Sequence, residues 1–363
     1  MTKLRTHRLF TLVPSQSRDE GSLEKPRLPV MICIVGLFCA AAVNAAPAQG
    51  VVFTSLASFD GADGASPIAP LVQATDGNFY GTTNDGGANY CGSGNYCGTV
   101  FRITPAGELT MLHSFDGSDG HFPYAGLVQG TDGNFYGTTQ QGGAYNFGTV
   151  FKITPSGTLT TLYSFCAQGG PCPDGAYPVA GLVQATDGNF YGPANSGGAH
   201  GGGEVFRITP AGTLTTLYSF CSQPNCADGA APDGPLVQAS DGNFYGTTVA
   251  GGANYCGGGS NCGTVFSVTP AGALTTLHSF DGSDGQFPYA GLVQGTDGNL
   301  YGTTHGESPN NPICAGTYGC GTVFKITLGG TLTTLLRFDG SDGAYPYAGL
   351  AQASDGYFYG TTP

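Results

Sequence analysis

The pentapeptide DGSDG occurs three times, at Asp116/Asp119, Asp281/Asp284 and Asp339/Asp342, with a near copy, DGADG, at Asp60/Asp63. Two carboxylates three residues apart in a glycine-containing turn can do three kinds of chemistry. They can accept backbone N–H groups within their own turn. They can hold a hard cation, and Ca2+ is the ion that takes clustered carboxylates. They can act as an acid–base pair. A catalytic pair needs two carboxyls in different environments, and near-identical copies make environments alike. The D-x-D-x-D-G-x5-E loop is absent. The turn reading therefore ranks first. Ca2+ at Asp60, Asp63, Asp116, Asp119, Asp281, Asp284, Asp339 and Asp342 ranks second, and no other cofactor is implied.

Other residues with chemical potential stand where the chain is irregular. His121, His200, His305 and Glu307 fall in loops. Tyr90, Tyr96, Tyr145 and Tyr255, beside Asn89, Asn95 and Asn254, offer aromatic faces and amides of the kind that hold sugars. These tyrosines, with His121, His200 and His305, are the candidate ligand residues. The chain has no Ser-His-Asp order, phosphate loop or metal-ligand spacing, so no catalytic residue is assigned.

Ten cysteines form local pairs: Cys91/Cys97, Cys166/Cys172, Cys221/Cys226, Cys256/Cys262 and Cys314/Cys320. A loop that lacks one member lacks both, as in QQGGAYNFGTV from Gln140. Joint presence and absence is the behaviour of disulfides, and disulfides imply an oxidising compartment.

These residues are carried by a tandem repeat. Its frame is D-G-x-x-P-x-x-x-L-x-Q-x-[ST]-D-G-x-[FL]-Y-G, and its first aspartate is Asp63, Asp119, Asp174, Asp228, Asp284 and Asp342. Each unit reads as four strands. LVQA is the first, and NFYGTT the second, after an Asp-Gly-Asn turn. GTVFRIT is the third and LTTLHSF the fourth, joined by Thr-Pro-Ala-Gly. Four antiparallel strands per ~55-residue unit, six times over, predict an all-β fold: a β-propeller of six blades. A β-solenoid is the other reading. Residues 51–59 (VVFTSLASF) read as a lone fourth strand, and the sequence stops after a second strand at Pro363. The N-terminal strand would close the last blade, which would lack its third strand; alternatively the C-terminus is truncated and more blades follow.

In such a blade, the loops after strands two and four share one side of the disc. That side holds the cysteine loops and places the first aspartates before the innermost strand, as a ring at the channel mouth. The glutamines of LVQ are expected to bridge blades, and the tyrosines of FYG to pack between them.

DGNFYGTT resembles the Asp-Gly-x-aromatic-x-Gly-Thr core of propeller repeats in two-component regulators. The whole unit, LVQ-x-x-DGNFYG then GTVF-x-[IV]T then LTTL-x-x-F, resembles the GloVer tandem repeat of secreted bacterial proteins. The resemblance covers about residues 51–363 and implies an exported, surface-associated protein. It brings no catalytic residues to carry over.

Residues 1–45 differ from the rest. Basic residues precede an apolar run, LPVMICIVGLFCAAAV from Leu28 to Val43, and Val43-Asn44-Ala45 follows. This is the pattern of a signal peptide, with residues 46–363 as the single mature domain. The run is shorter than the ~20 residues of a spanning helix, so no stable membrane span is expected after cleavage. The leader holds six of the 11 basic and three of the 24 acidic side chains, which leaves 5 basic, 21 acidic and a net charge of −16. That excess excludes nucleic acid as a partner. The sequence thus points to a secreted, periplasmic or cell-surface protein, a monomer, that binds a polysaccharide or a surface protein. An extracellular polysaccharide lyase or hydrolase using the same face is the alternative.

Overall fold

The computed structural model describes residues 8–12 (backbone only), 55–92, 94–256, 261–306 and 319–363. Five four-stranded antiparallel sheets repeat one order, strands one to four in sequence. The first is Val72–Gln73, Phe79–Thr83, Thr99–Ile103 and Leu109–Ser114. The third is Val183–Gln184, Phe190–Ala194, Glu204–Ile208 and Leu214–Ser219. A 3-10 turn at Pro224–Cys226 is the only helical element among the described residues. The protein is a β-propeller, and each sheet is a blade.

The hairpins form where the turn chemistry dictates. Gly77 takes a φ of 83°, which costs glycine least. The Asp76 carboxylate accepts the backbone N–H and side-chain amide of Asn78 and the hydroxyl of Tyr80. The same bonds recur at Asp132, Asp187, Asp241 and Asp297.

The core lies between blades, not within them. One buried cluster holds Tyr80, Val100 and Phe115 of blade one with Phe135, Phe151 and Ile153 of blade two. Four of the tyrosines stack on the next blade's phenylalanine: Tyr80 on Phe135 at 4.0 Å, Tyr136 on Phe190 at 3.9 Å, Tyr191 on Phe244 at 4.0 Å and Tyr301 on Phe358 at 4.0 Å, while Tyr245 packs in one cluster with Leu300. The glutamines tie the same seam. Gln129, Gln184, Gln238, Gln294 and Gln352 each accept a backbone N–H from the preceding blade's turn, at 2.8–3.1 Å. Both expectations for these sets hold.

The sixth blade differs from the expected three-stranded closure. Ala351–Gln352 and Phe358–Thr362 are its first two strands, and Arg8–Leu12 pairs antiparallel with the second. A bare edge leaves a row of N–H and C=O groups unpaired, and here a strand from the leader-like segment fills it. Most of the expected leader, and residues 51–54 of the expected fourth strand, lie outside the described residues. Residues 56–59 form no strand, but they touch blade one where a fourth strand would. Phe59 meets Phe101 edge-on at 4.9 Å, as Phe115 meets Phe151 at 5.3 Å.

The strand-two glycine tests this packing. A Cβ at Gly137 would lie 2.6 Å from the ring of Phe151 and 2.9 Å from Leu127, and Phe151 is fully buried. A Cβ at Gly133 meets nothing within 4 Å, although its φ is +80°. Gly137→Ala should cost roughly 1–3 kcal/mol of stability by overpacking, and Gly133→Ala about 1 kcal/mol by strain alone. Urea denaturation of the two variants checks the ranking.

Candidate functional site

Strand one begins, strand two ends, strand three begins and strand four ends on the same side of the disc. Isolated bridges confirm the shared side by joining each entry segment to the loop after strand two: Ala65 to Asp85, His121 to Gln141, Ala176 to Ser196, Ala230 to Ala250 and Gln286 to Gly306. The disulfides Cys91–Cys97, Cys166–Cys172, Cys221–Cys226 and Cys256–Cys262 all form here. Cys320 is disulfide-bonded, while its expected partner Cys314 lies outside the described residues.

The first aspartates of the repeat do not gather at the channel mouth. Four of them are tied to strand four of the preceding blade, at the outer end of the sheet. His113 Nε2 lies 2.6 Å from Asp119 Oδ2, and His278 Nε2 lies 2.6 Å from Asp284 Oδ2. Tyr163 donates its hydroxyl to Asp174 Oδ2 at 2.6 Å, and Tyr218 donates to Asp228 Oδ2 at 2.8 Å. Asp174 and Asp228 are buried. The reason is local: three residues separate each aspartate from its repeat proline, enough chain to turn back over strand four before entering strand one.

A His–Asp pair could serve as a general base, but tyrosine fills the same position in two blades and makes the same bond. The shared requirement is a hydrogen bond to the aspartate. His113→Tyr should therefore keep the stability of the protein, and His113→Phe should lose on the order of 1 kcal/mol by leaving Asp119 without that bond. Thermal denaturation of both variants decides it.

Within the DGSDG copies each carboxylate is engaged in its own turn. Asp116 Oδ1 accepts from the backbone N–H groups of Ser118 and Asp119 and from the Ser118 hydroxyl, and Asp119 Oδ1 accepts the N–H of Asp116. Asp281/Asp284 and Asp339/Asp342 repeat this. Asp60/Asp63 does so without the serine. The serine hydroxyl holds Asp116, Asp281 and Asp339 below the ordinary carboxylate range, and at Asp60 the Asp63 N–H does the same. Among the described residues no three His, Cys, Asp or Glu side chains group as metal ligands.

The mouth is lined instead by the residue after each repeat proline: Ile68, Tyr124, Val179, Asp233, Tyr289 and Tyr347. Neighbouring entry segments touch: a Cβ on Gly126 would lie 2.8 Å from Pro70 O, and one on Gly291 2.5 Å from Pro235 O. Such convergence puts strand one innermost. The six positions are unlike. Tyr289 and Tyr347 stack at 4.8 Å, with His305 against both. Asp233 accepts a hydrogen bond from the Asn195 amide, and burial pushes its carboxyl up. Sequence reasoning missed this set because its members share a position but only three share a residue type, tyrosine.

The candidate ligand residues divide. Tyr90 and Tyr96 are 61% and 46% exposed and meet edge-to-face at 5.8 Å on the Cys91–Cys97 loop. Tyr145 and Tyr255 are exposed on the loops of blades two and four. Asn89 and Asn254 spend their amides on strand-four carbonyls. His200 is exposed. His121 is a correction: it is buried, with Nε2 against Gln141 Oε1 at 3.1 Å, and burial lowers its pKa. His305 is half-buried among tyrosines, with its pKa also lowered by burial. Glu307 lies outside the described residues.

Blade three carries a departure that the repeat hides. In four blades two threonine hydroxyls meet across strands two and three, as Thr83 and Thr99 do at 2.8 Å. Blade three has Ala194 and Glu204 there. Glu204 is fully buried, and neither carboxylate oxygen has a hydrogen-bond partner among the described residues. Burial raises its pKa to about 8, and the Asp174 charge adds to it. The folded state therefore keeps a proton that the unfolded chain releases near the ordinary value of 4.5. Stability falls as pH rises from about 4.5 to about 8 and then levels. Glu204→Gln should flatten that slope and raise stability at pH 8 by at most about 5 kcal/mol, at about 1.4 kcal/mol per pH unit. Denaturation curves at pH 5 and pH 8 measure it.

The chain matches the Gloeobacter/Verrucomicrobia repeat over residues 42–173, 92–311 and 252–363. It belongs to that family. No match to a curated protein was found by sequence. Among solved structures it is similar to a gluconolactonase from Xanthomonas campestris, at 12% identity over 81% of this chain and 98% of that one, TM-score 0.43. It is also similar to a Thermus thermophilus protein described as a glucose dehydrogenase, at 14% identity over 81% and 89%, TM-score 0.46. A Dyadobacter fermentans protein of unknown function matches at 13% identity over 80% and 92%, TM-score 0.45.

Proposed function

We propose that this repeat protein is an exported or cell-surface binding module, acting as a monomer, that holds a polysaccharide on its loop-side face. One observation carries the reading. All six exposed tyrosines among the described residues, Tyr90, Tyr96, Tyr124, Tyr145, Tyr255 and Tyr347, lie on that face. Tyrosine pairs a flat apolar ring with a polar tip at small entropic cost, which suits stacking on a sugar ring. Disulfides pre-order two of the loops that present them, which lowers the cost of binding. Four disulfides fit an oxidising, extracellular compartment. No helix among the described residues is long and apolar enough to cross a membrane.

One observation supports an enzyme acting on the same ligand. Asp233 is an acid with a raised pKa at the mouth, and raised carboxyls serve as general acids in sugar chemistry.

A panel of polysaccharides, each offered with Ca2+ and with chelator, tests both readings. Binding should persist in chelator and weaken about tenfold in Tyr90→Ala/Tyr96→Ala. Binding abolished by chelator would move the site to the aspartate turns, and no binding to any glycan would sink the reading. Release of shortened glycan, lost in Asp233→Asn, would establish the enzyme.

A further inference from the structure

The repeat supplies the mouth with two sets of residues. One is the residue after each repeat proline. The other is the residue after strand two: Asn84, Gln140, Asn195, Val249 and His305. Two of these reach the mouth residue of the next blade. Asn195 donates its amide to Asp233 Oδ1, and the His305 ring meets Tyr347 at 4.6 Å. Neither set contains a lysine or an arginine.

One arc of the mouth brings a carboxylate beside aromatic rings. Asp233 and Tyr289 stand in adjoining blades whose segments touch: a Cβ on Gly234 would lie 2.5 Å from Gly291 N and 2.6 Å from Ala290 C. Tyr289 stacks on Tyr347 at 4.8 Å. The backbone behind both rings is pinned, since Thr247 donates its hydroxyl to Ala290 O at 2.9 Å and Thr303 to Ala348 O at 3.3 Å. The arc is thus ordered before any ligand arrives.

This carboxylate has no counter-charge. Asp233 Oδ2 has no hydrogen-bond partner among the described residues, and no Lys, Arg or His pairs with Asp233 there. The basic side chains lie elsewhere. Arg102, Lys152, Arg207 and Lys325 stand on strand three opposite the seam tyrosines, and Arg337 ends the outermost strand of blade five. Burial lowers the pKa of His305, so its ring is uncharged at neutral pH and does not repel a cation. Aromatic faces and a partly desolvated carboxylate both attract an ammonium group more strongly than water-exposed groups do.

We propose that this arc, Asp233 with Tyr289, Tyr347 and His305, is a subsite for an ammonium group, and that the polysaccharide held on this face is built of amino sugars. The inference rests on the glycan-binding reading above and narrows its ligand to cationic chains. The carboxylate accepts the ammonium hydrogens, the rings stabilise the charge, and the Asn195 amide holds the carboxylate in place. The acidic excess of the chain draws such a ligand in.

Calorimetric titration of the full chain at pH 6 compares a glucosamine hexamer with an N-acetylglucosamine hexamer. The first should bind about tenfold more tightly. Asp233→Asn and Tyr347→Leu should remove that preference, and Tyr347→Phe should keep it. Glu108→Gln, which takes one charge from an exposed turn on the other side of the disc, should leave it unchanged. Equal binding of the two hexamers would overturn the inference and leave the glycan reading standing. A preference that survives Asp233→Asn, or that Glu108→Gln lowers as much, would overturn it by showing general attraction to an acidic protein. Tighter binding of a lysine hexapeptide would overturn it in favour of a protein partner. Binding of neither hexamer would overturn it as well, and the wider polysaccharide panel then decides the glycan reading separately.

Discussion

Everything in this protein depends on the seam between blades. A four-stranded sheet of such short strands cannot bury both its faces alone. The blades therefore offer a tyrosine to pack on the next blade's phenylalanine, or in one seam its leucine, and a glutamine to cap the preceding blade's turn. The phenylalanine of strand three fits only because strand two has a glycine opposite it. One small residue in the middle of a strand, usually a weakness, is here what lets two sheets close. Stability is thus a sum of neighbour contacts, and the ring must be completed or two blade faces stay open. The pairing at Phe358–Thr362 and the contacts of Leu56 and Phe59 meet that demand at the place where the two ends of the sequence come together.

With the seam fixed, most of the variation falls on the loop side. The Asp-Gly hairpins at the other side take part in inter-blade bonding and hardly change. The loop side carries the disulfides, the exposed tyrosines and the unlike residues of the mouth. Even there the aspartates of the repeat are consumed by scaffolding: Asp119, Asp174, Asp228 and Asp284 are each fixed by a histidine or tyrosine from strand four, and Asp63 and Asp342 are held within their own turns. Chemistry is left to the residues that the repeat does not specify.

Blade three shows how such a scaffold can hold one buried ionisable group. Replacing the Thr–Thr hydroxyl pair with Ala194 and Glu204 removes two donors from a site that stays closed to water. The glutamate answers by keeping its proton rather than by finding a cation or a base. It is sealed from the face where a ligand would sit, so its effect belongs to stability and pH and not to binding.

The sequence by itself determined the blade, the number of repeats, the turns, the disulfide pairs and the roles of Gln184 and Tyr136. Those features recur at fixed spacing, and local rules of turn, pairing and alternation act over a few residues. The tertiary structure decided what depends on residues far apart. It moved the aspartates from the mouth to strand four, because chain reversal and not sequence order sets where Asp119 meets His113. It buried His121, whose side chain gave no sign of its packing. It assembled the mouth from Ile68, Tyr124, Val179, Asp233, Tyr289 and Tyr347, one from each blade, which no local pattern links. It also set Arg8–Leu12 beside Phe358–Thr362, since only closing the ring brings together strands separated by nearly the whole chain.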